Sequence, residues 1–139
     1  MANAIYPKYK QNLLAGTTGY DLDVNDTTNN PAVALVDTGS YTYTGATDEF
    51  RSILSGVAGT DQTLFTTTVV LGTFDAGDIT FAAVAAGPTI EALVIYRKNS
   101  GATSTQPLVA FLDSFTGLPV TPNGGNIFVT WHASGIFTL

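Results

Sequence analysis

Few residues in this chain have the type and spacing that reaction chemistry needs, and the sharpest group is Ala34-Leu35-Val36-Asp37-Thr38-Gly39-Ser40. An apolar run ending in Asp-Thr-Gly-Ser is the pattern by which an aspartic protease presents one carboxylate of a pair. One member of such a pair keeps a proton while the other activates water. That chemistry also needs an apolar segment ending in glycine for the Asp37 loop to pack on, and Val69-Val70-Leu71-Gly72 is a poorly spaced candidate. The simpler reading makes Asp37 to Ser40 a turn between strands, since Asp and Gly are common turn residues.

Asp21-Leu22-Asp23-Val24-Asn25-Asp26 alternates oxygen ligands as a calcium loop does. It has Asp26 where the loop needs glycine, and Ala32 where it needs a bidentate glutamate, so a solvated acidic turn is expected. His132 is the one histidine, and with no cysteine in the chain it has no partner for zinc, so it reads as a surface residue. The sequence therefore predicts no catalytic residue, no cofactor site and no metal site, and an enzyme is not expected.

Composition agrees. Twenty-two of 139 residues are threonine and sixteen are charged, a bias toward pleated structure and away from clusters of ionisable groups. The net charge of −6 and the scattered cations Lys8, Lys10, Arg51, Arg97 and Lys98 argue against nucleic acid. The longest apolar runs, Ala92 to Tyr96 and Leu108 to Leu112, have strand length, so no membrane span is expected. Met1 to Lys10 has no apolar centre of a secretory leader, so none is expected.

The elements that must carry these residues are mostly strands. Expected strands are Tyr20 to Val24, Ala32 to Val36, Tyr41 to Thr44, Thr66 to Leu71, Asp78 to Val84, Glu91 to Arg97, Pro107 to Leu112, Asn126 to Trp131 and Ile136 to Leu139. The runs around Leu93 and Leu108 are apolar on both faces and belong between two layers. One short helix is predicted after Pro7, with Tyr6, Tyr9 and Leu13 on one face and Gly16 as its stop. A second is predicted over Asp48 to Leu54, with Thr47 as N-cap and Asp48 and Glu49 in its first turn. The whole reads as all-β: a jelly-roll-like antiparallel β-sandwich with one or two short helices, a single domain over residues 1–139, with residues 1–16 as a helical N-terminal arm.

Four stretches, in order along the chain, resemble a family of small structural proteins of tailed bacteriophages. They are the opening Met1-Ala2-Asn3-Ala4-Ile5-Tyr6-Pro7-Lys8-Tyr9-Lys10; Val33 to Tyr43; Gly72-Thr73-Phe74-Asp75-Ala76-Gly77-Asp78-Ile79-Thr80-Phe81; and Leu118-Pro119-Val120-Thr121-Pro122-Asn123-Gly124-Gly125, leading into Ile127 to Trp131. The resemblance implies a cement or decoration protein of the virion. Such a protein is a jelly roll and a homodimer, held on the outer surface of the capsid against the major capsid protein. It implies no catalytic residue and makes Asp37 to Ser40 a strand-end turn. Tyr6, Lys8, Tyr9 and Lys10 are the expected partner-binding residues, joining two aromatic anchors to two of the five cations. A tail or fibre component binding a host surface glycan is the alternative, with an aspartic protease using Asp37 as a remote one.

Overall fold

In the computed structural model, which describes residues 2–139, the chain is mostly β, with antiparallel sheets and one short α-helix. In chain order the elements are β1 (Ala4–Ile5), α1 (Pro7–Leu14), β2 (Pro31–Val36), β3 (Val57–Thr63), β4 (Thr68–Val70), β5 (Thr73–Asp75), β6 (Ile79–Phe81), β7 (Ala92–Arg97), β8 (Leu108–Leu112), β9 (Ile127–Val129) and β10 (Phe137–Thr138). They form a five-stranded sheet in the order β1-β8-β7-β2-β3, a three-stranded sheet β10-β5-β4 and the pair β6-β9. This is the all-β, antiparallel architecture expected. A grouping of five, three and two does not establish the jelly roll.

The centre of the large sheet follows from its residues. β2, β7 and β8 are apolar at both parities, and every residue in them is buried. Leu35 stands opposite Leu93, which stands opposite Leu112. This face meets Ile127 and Val129 of β9 across the sandwich. On the other face Ala34, Val94 and Phe111 lie in register, and the rings of Tyr41 and Tyr43 roof them at 6.2 and 5.2 Å from Phe111. Pro31 opens β2, a position where its missing donor does least harm.

Helix α1 begins at Pro7 and ends before Gly16, which takes a positive φ of 69°. It is no free arm. β1 pairs with β8 just ahead of it, and Tyr6 and Tyr9 belong to the one hydrophobic cluster that extends to Trp131.

The second helix is a correction. Only a 3₁₀ turn forms, over Arg51–Ile53. The backbone around it is taken up by a distant segment: Leu108 donates its N–H to the Glu49 carbonyl and Arg51 to the Gln106 carbonyl, both at 2.8 Å, while Phe50 bridges Pro107. Asp48 turns inward instead of lying in the first turn of a helix capped by Thr47, and accepts hydrogen bonds from the Thr44 N–H and the Tyr41 hydroxyl, each at 2.6 Å. Tyr20 to Val24 and Tyr41 to Thr44 are not strands, although Tyr20, Leu22 and Tyr41 are buried. Strands β1, β3 and β5 fall outside the expected set. β3 contains Gly59 at φ 65°, beside a register shift in its pairing with β2, and owes its place to that pairing.

Candidate interaction surface

The three-stranded sheet is where the chain departs from ordinary protein surface. Strands β4 and β5 are joined by Leu71 and Gly72, which both take positive φ, 50° and 80°, as a two-residue type I′ turn requires. Asparagine or glycine normally fills the first of these positions, because a larger side chain there crowds the backbone. Leu71 accepts that strain and is 96% exposed. Thr66, ahead of β4, also has a positive φ, of 51°.

Among the described residues no third strand covers the outer edge of β4. Val70 and Thr73 flank the turn and are the bonded pair of the ladder. The next residue, Val69, then points its N–H and C=O away from β5. Thr67 has the same parity, and its two backbone groups are taken by one side chain: Thr67 N–H donates to Asn25 Oδ1 at 3.0 Å, and Asn25 Nδ2 donates to the Thr67 carbonyl at 3.2 Å. The Asn25 amide stands in for a neighbouring strand there and stops at Thr67. Beyond it Val69 and Val70 are 45% and 63% exposed. Natural edges are usually guarded by a charge, a proline or a bulge. This one has none, and the 13 residues from Gln62 to Phe74 contain no charge.

Beside the edge lies an apolar groove of about 250 Å³, whose walls include Tyr9, Leu13, Leu22, Val69, Phe74 and Phe137. Asp21 and Asp23 stand on its rim. Asp21 is held by Arg97, whose Nε donates to the Asp21 carbonyl at 2.6 Å and whose Nη2 lies 3.3 Å from its carboxylate. At the floor, the Tyr9 hydroxyl donates to the Tyr20 carbonyl, and burial pushes its ionisation well above the ordinary tyrosine range. The C-terminal Leu139 donates its N–H to the Gly72 carbonyl at 3.0 Å and adds a further exposed apolar side chain.

The partner-binding residues expected from sequence divide between inside and outside. Tyr6 and Tyr9 are 0% and 1% exposed and pack within the chain's own core, so they are no surface anchors. The Tyr41 hydroxyl gives its proton to Asp48 and accepts from Tyr6 at 2.9 Å; burial, with the Tyr41 hydrogen bond adding to it, raises the Tyr6 ionisation strongly. Lys8 is half-buried and Lys10 exposed, on the outer side of α1. The spacing of Tyr6, Tyr9 and Leu13 predicted a one-sided helix but could not say that this side faces the chain's own core.

Asp37 sits in the turn that follows β2, its two oxygens accepting from Gly39 N–H at 2.7 Å and Ser40 Oγ at 3.0 Å. The Val69-to-Gly72 segment lies in the other sheet. Asp26 likewise closes its own turn, accepting from the backbone of Thr28 and Asn29; the Asn29 side-chain amide heads the contacts that lower its ionisation. His132 Nδ1 accepts from Ser134 N–H at 3.1 Å on an exposed turn. Among the described residues no three His, Cys, Asp or Glu side chains stand together as metal ligands, and no helix is long and apolar enough to cross a membrane. The exposed residues of β4 were missed because hydrophobicity reads as burial by default; the Leu71-Gly72 pair between two β-rich runs was the available signal.

Compared with protein-family models the chain matches none, and no curated protein matches it significantly. What the arrangement offers chemically is contact: an uncharged sheet edge, an apolar groove and a leucine held out at a hairpin tip.

Proposed function

We propose that the protein is a structural component of a tailed-phage virion, a cement or decoration protein that binds the major capsid protein on the outside of the shell and stabilises its mature form. The observation that carries this reading is the exposed apolar edge of β4 with its strained Leu71, a surface suited to lasting contact. The resemblance of the four sequence stretches supplies the kind of partner. A protein that binds the expanded shell more tightly than its precursor lowers the free energy of the mature state by mass action, and repetition over a lattice multiplies a small gain per copy. The test is a stained gel of purified particles. A near one-to-one ratio of this chain to the major capsid protein supports the reading, and its absence from finished particles overturns it.

A second reading draws on another groove, of about 570 Å³, where Phe115 meets Trp131 edge-on at 5.5 Å among Asn3, Ser114, Thr130 and His132. An aromatic wall ringed by polar groups suits a sugar face, as a tail or fibre component binding host glycan would need. A trace copy number, with loss of cell-surface binding on Phe115→Ala, would favour it over the capsid.

A further inference from the structure

We propose that Asn123 is a deamidation site held shut by the fold, modified when the junction just beyond the end of β6 and the start of β9 opens. Asn123-Gly124 is the one Asn-Gly pair in the chain. The reaction is intramolecular: the Gly124 nitrogen loses its proton to solvent and bonds to the Asn123 side-chain carbonyl carbon. The side-chain nitrogen then takes up a proton and leaves as ammonia, closing an imide ring. Water opens that ring at either carbonyl, to aspartate or to isoaspartate, in which the main chain runs through the side-chain carbon. Glycine favours the attack because it has no Cβ to crowd the approach and leaves the backbone free to reach the geometry.

In the folded chain both reacting groups are engaged. The Gly124 N–H donates to the Val84 carbonyl at 2.7 Å, and the Val84 N–H donates back to the Gly125 carbonyl at 2.9 Å. Taking the proton from Gly124 therefore means losing a hydrogen bond first. Asn123 Oδ1 accepts from the Gly125 N–H at 3.0 Å, which holds the amide in one orientation. A further tie runs from the Ala83 N–H to Asn126 Oδ1 at 2.9 Å. Val84 is 1% exposed, so the seat is fixed to the core, while Asn123, Gly124 and Gly125 are exposed and within reach of solvent. Hydrogen bonding, rather than burial, is what closes the site. The two products differ in consequence. Aspartate still accepts from Gly125, whereas isoaspartate lengthens the main chain ahead of Gly124 and carries Gly124 and Gly125 off Val84. Each opening that ends in isoaspartate is thus recorded for good. None of this rests on the capsid reading.

The test follows Asn123 by mass spectrometry and an isoaspartate assay, with the full chain incubated in mildly alkaline buffer, folded or unfolded in urea. In urea Asn123 should be the first asparagine to convert. Folded, it should convert slower by about tenfold or more, since reaction waits on local opening. Asn126→Ala, which removes the Ala83 tie, should speed the folded reaction with far-ultraviolet dichroism unchanged. Chain carrying isoaspartate, returned to buffer, should unfold at lower urea than unmodified chain. Equal rates folded and unfolded, or another asparagine converting first in urea, overturn the assignment; an isoaspartate chain as stable as the original overturns the lasting record. The particle gel measures capsid binding separately, so either result can fail without the other.

Discussion

The five-stranded and three-stranded sheets are built from similar residues and treat them in opposite ways. In β2, β7 and β8 every side chain is buried, whereas β4, Thr-Val-Val, is exposed throughout. The large sheet also gathers polar-tipped aromatics on its outer face, three of them with bonded hydroxyls: Tyr6 on Tyr41, Tyr41 on Asp48, and Tyr96 on Asp61 at 2.8 Å under Arg51. The small sheet has one fully buried anchor, Phe74, stacked near Phe137 at 5.4 Å. One region uses apolar area for stability; the other accepts backbone strain to keep apolar area in water. The second choice makes physical sense only if something else covers it.

The largest effect expected is alkaline. All six tyrosines, none of them in β4, β5 or β10, have ionisation raised above the ordinary value of 10.0, burial being the first cause in each. Folding therefore favours the neutral phenol. The stability this gives is fully present below pH 10 and is lost as pH rises from there toward the folded-state values. Phenolate absorbance near 295 nm should lag beyond that pH and then appear together with loss of far-ultraviolet dichroism; phenolates forming at the ordinary pH with the dichroism intact would contradict a tyrosine-covered sheet.

Next in size is Leu93→Ala, which should cost about 3 kcal/mol by urea denaturation, since its site between two layers leaves a cavity. Tyr41→Phe should cost about 1 kcal/mol, because it removes a donor to buried Asp48 and the acceptor of Tyr6. The small sheet should respond with the opposite sign. Leu71→Asn relieves a left-handed leucine and should stabilise the chain by about 1 kcal/mol. Val69→Ala, at an exposed position, should move stability by no more than about 0.5 kcal/mol. A destabilisation by Leu71→Asn as large as that of Leu93→Ala would erase the contrast between the sheets.

That contrast also explains what the sequence disclosed. β2, β7 and β8 were legible because runs apolar at both parities fit only the middle of two layers, and α1 because Pro7, the Tyr6-Tyr9-Leu13 spacing and Gly16 all act within one short segment. β3 was not: Gly59, Asp61 and Gln62 have little intrinsic liking for a strand, and the open edge of β2 recruits them. The Asp48-to-Leu54 helix failed for the same reason, its local capping pattern losing to hydrogen bonds exchanged with Gln106 and Leu108, which are remote in sequence. At the candidate surface the residue types of β4 were visible and their exposure was not, because exposure depends on which edge lacks a neighbour. Tyr6 and Tyr9 show the converse, aromatic side chains that looked available and lie inside.

The Asn25 amide has a consequence for alignment. Strands docking on an open edge can slide by two residues and keep both their hydrogen bonding and their facing. By occupying Thr67, one side chain acts as an end-stop, fixing where any incoming backbone comes to rest. Conversion of Asn25 to aspartate would strip the donor from that stop and release the Thr67 carbonyl alone, because a carboxylate still accepts from the Thr67 N–H.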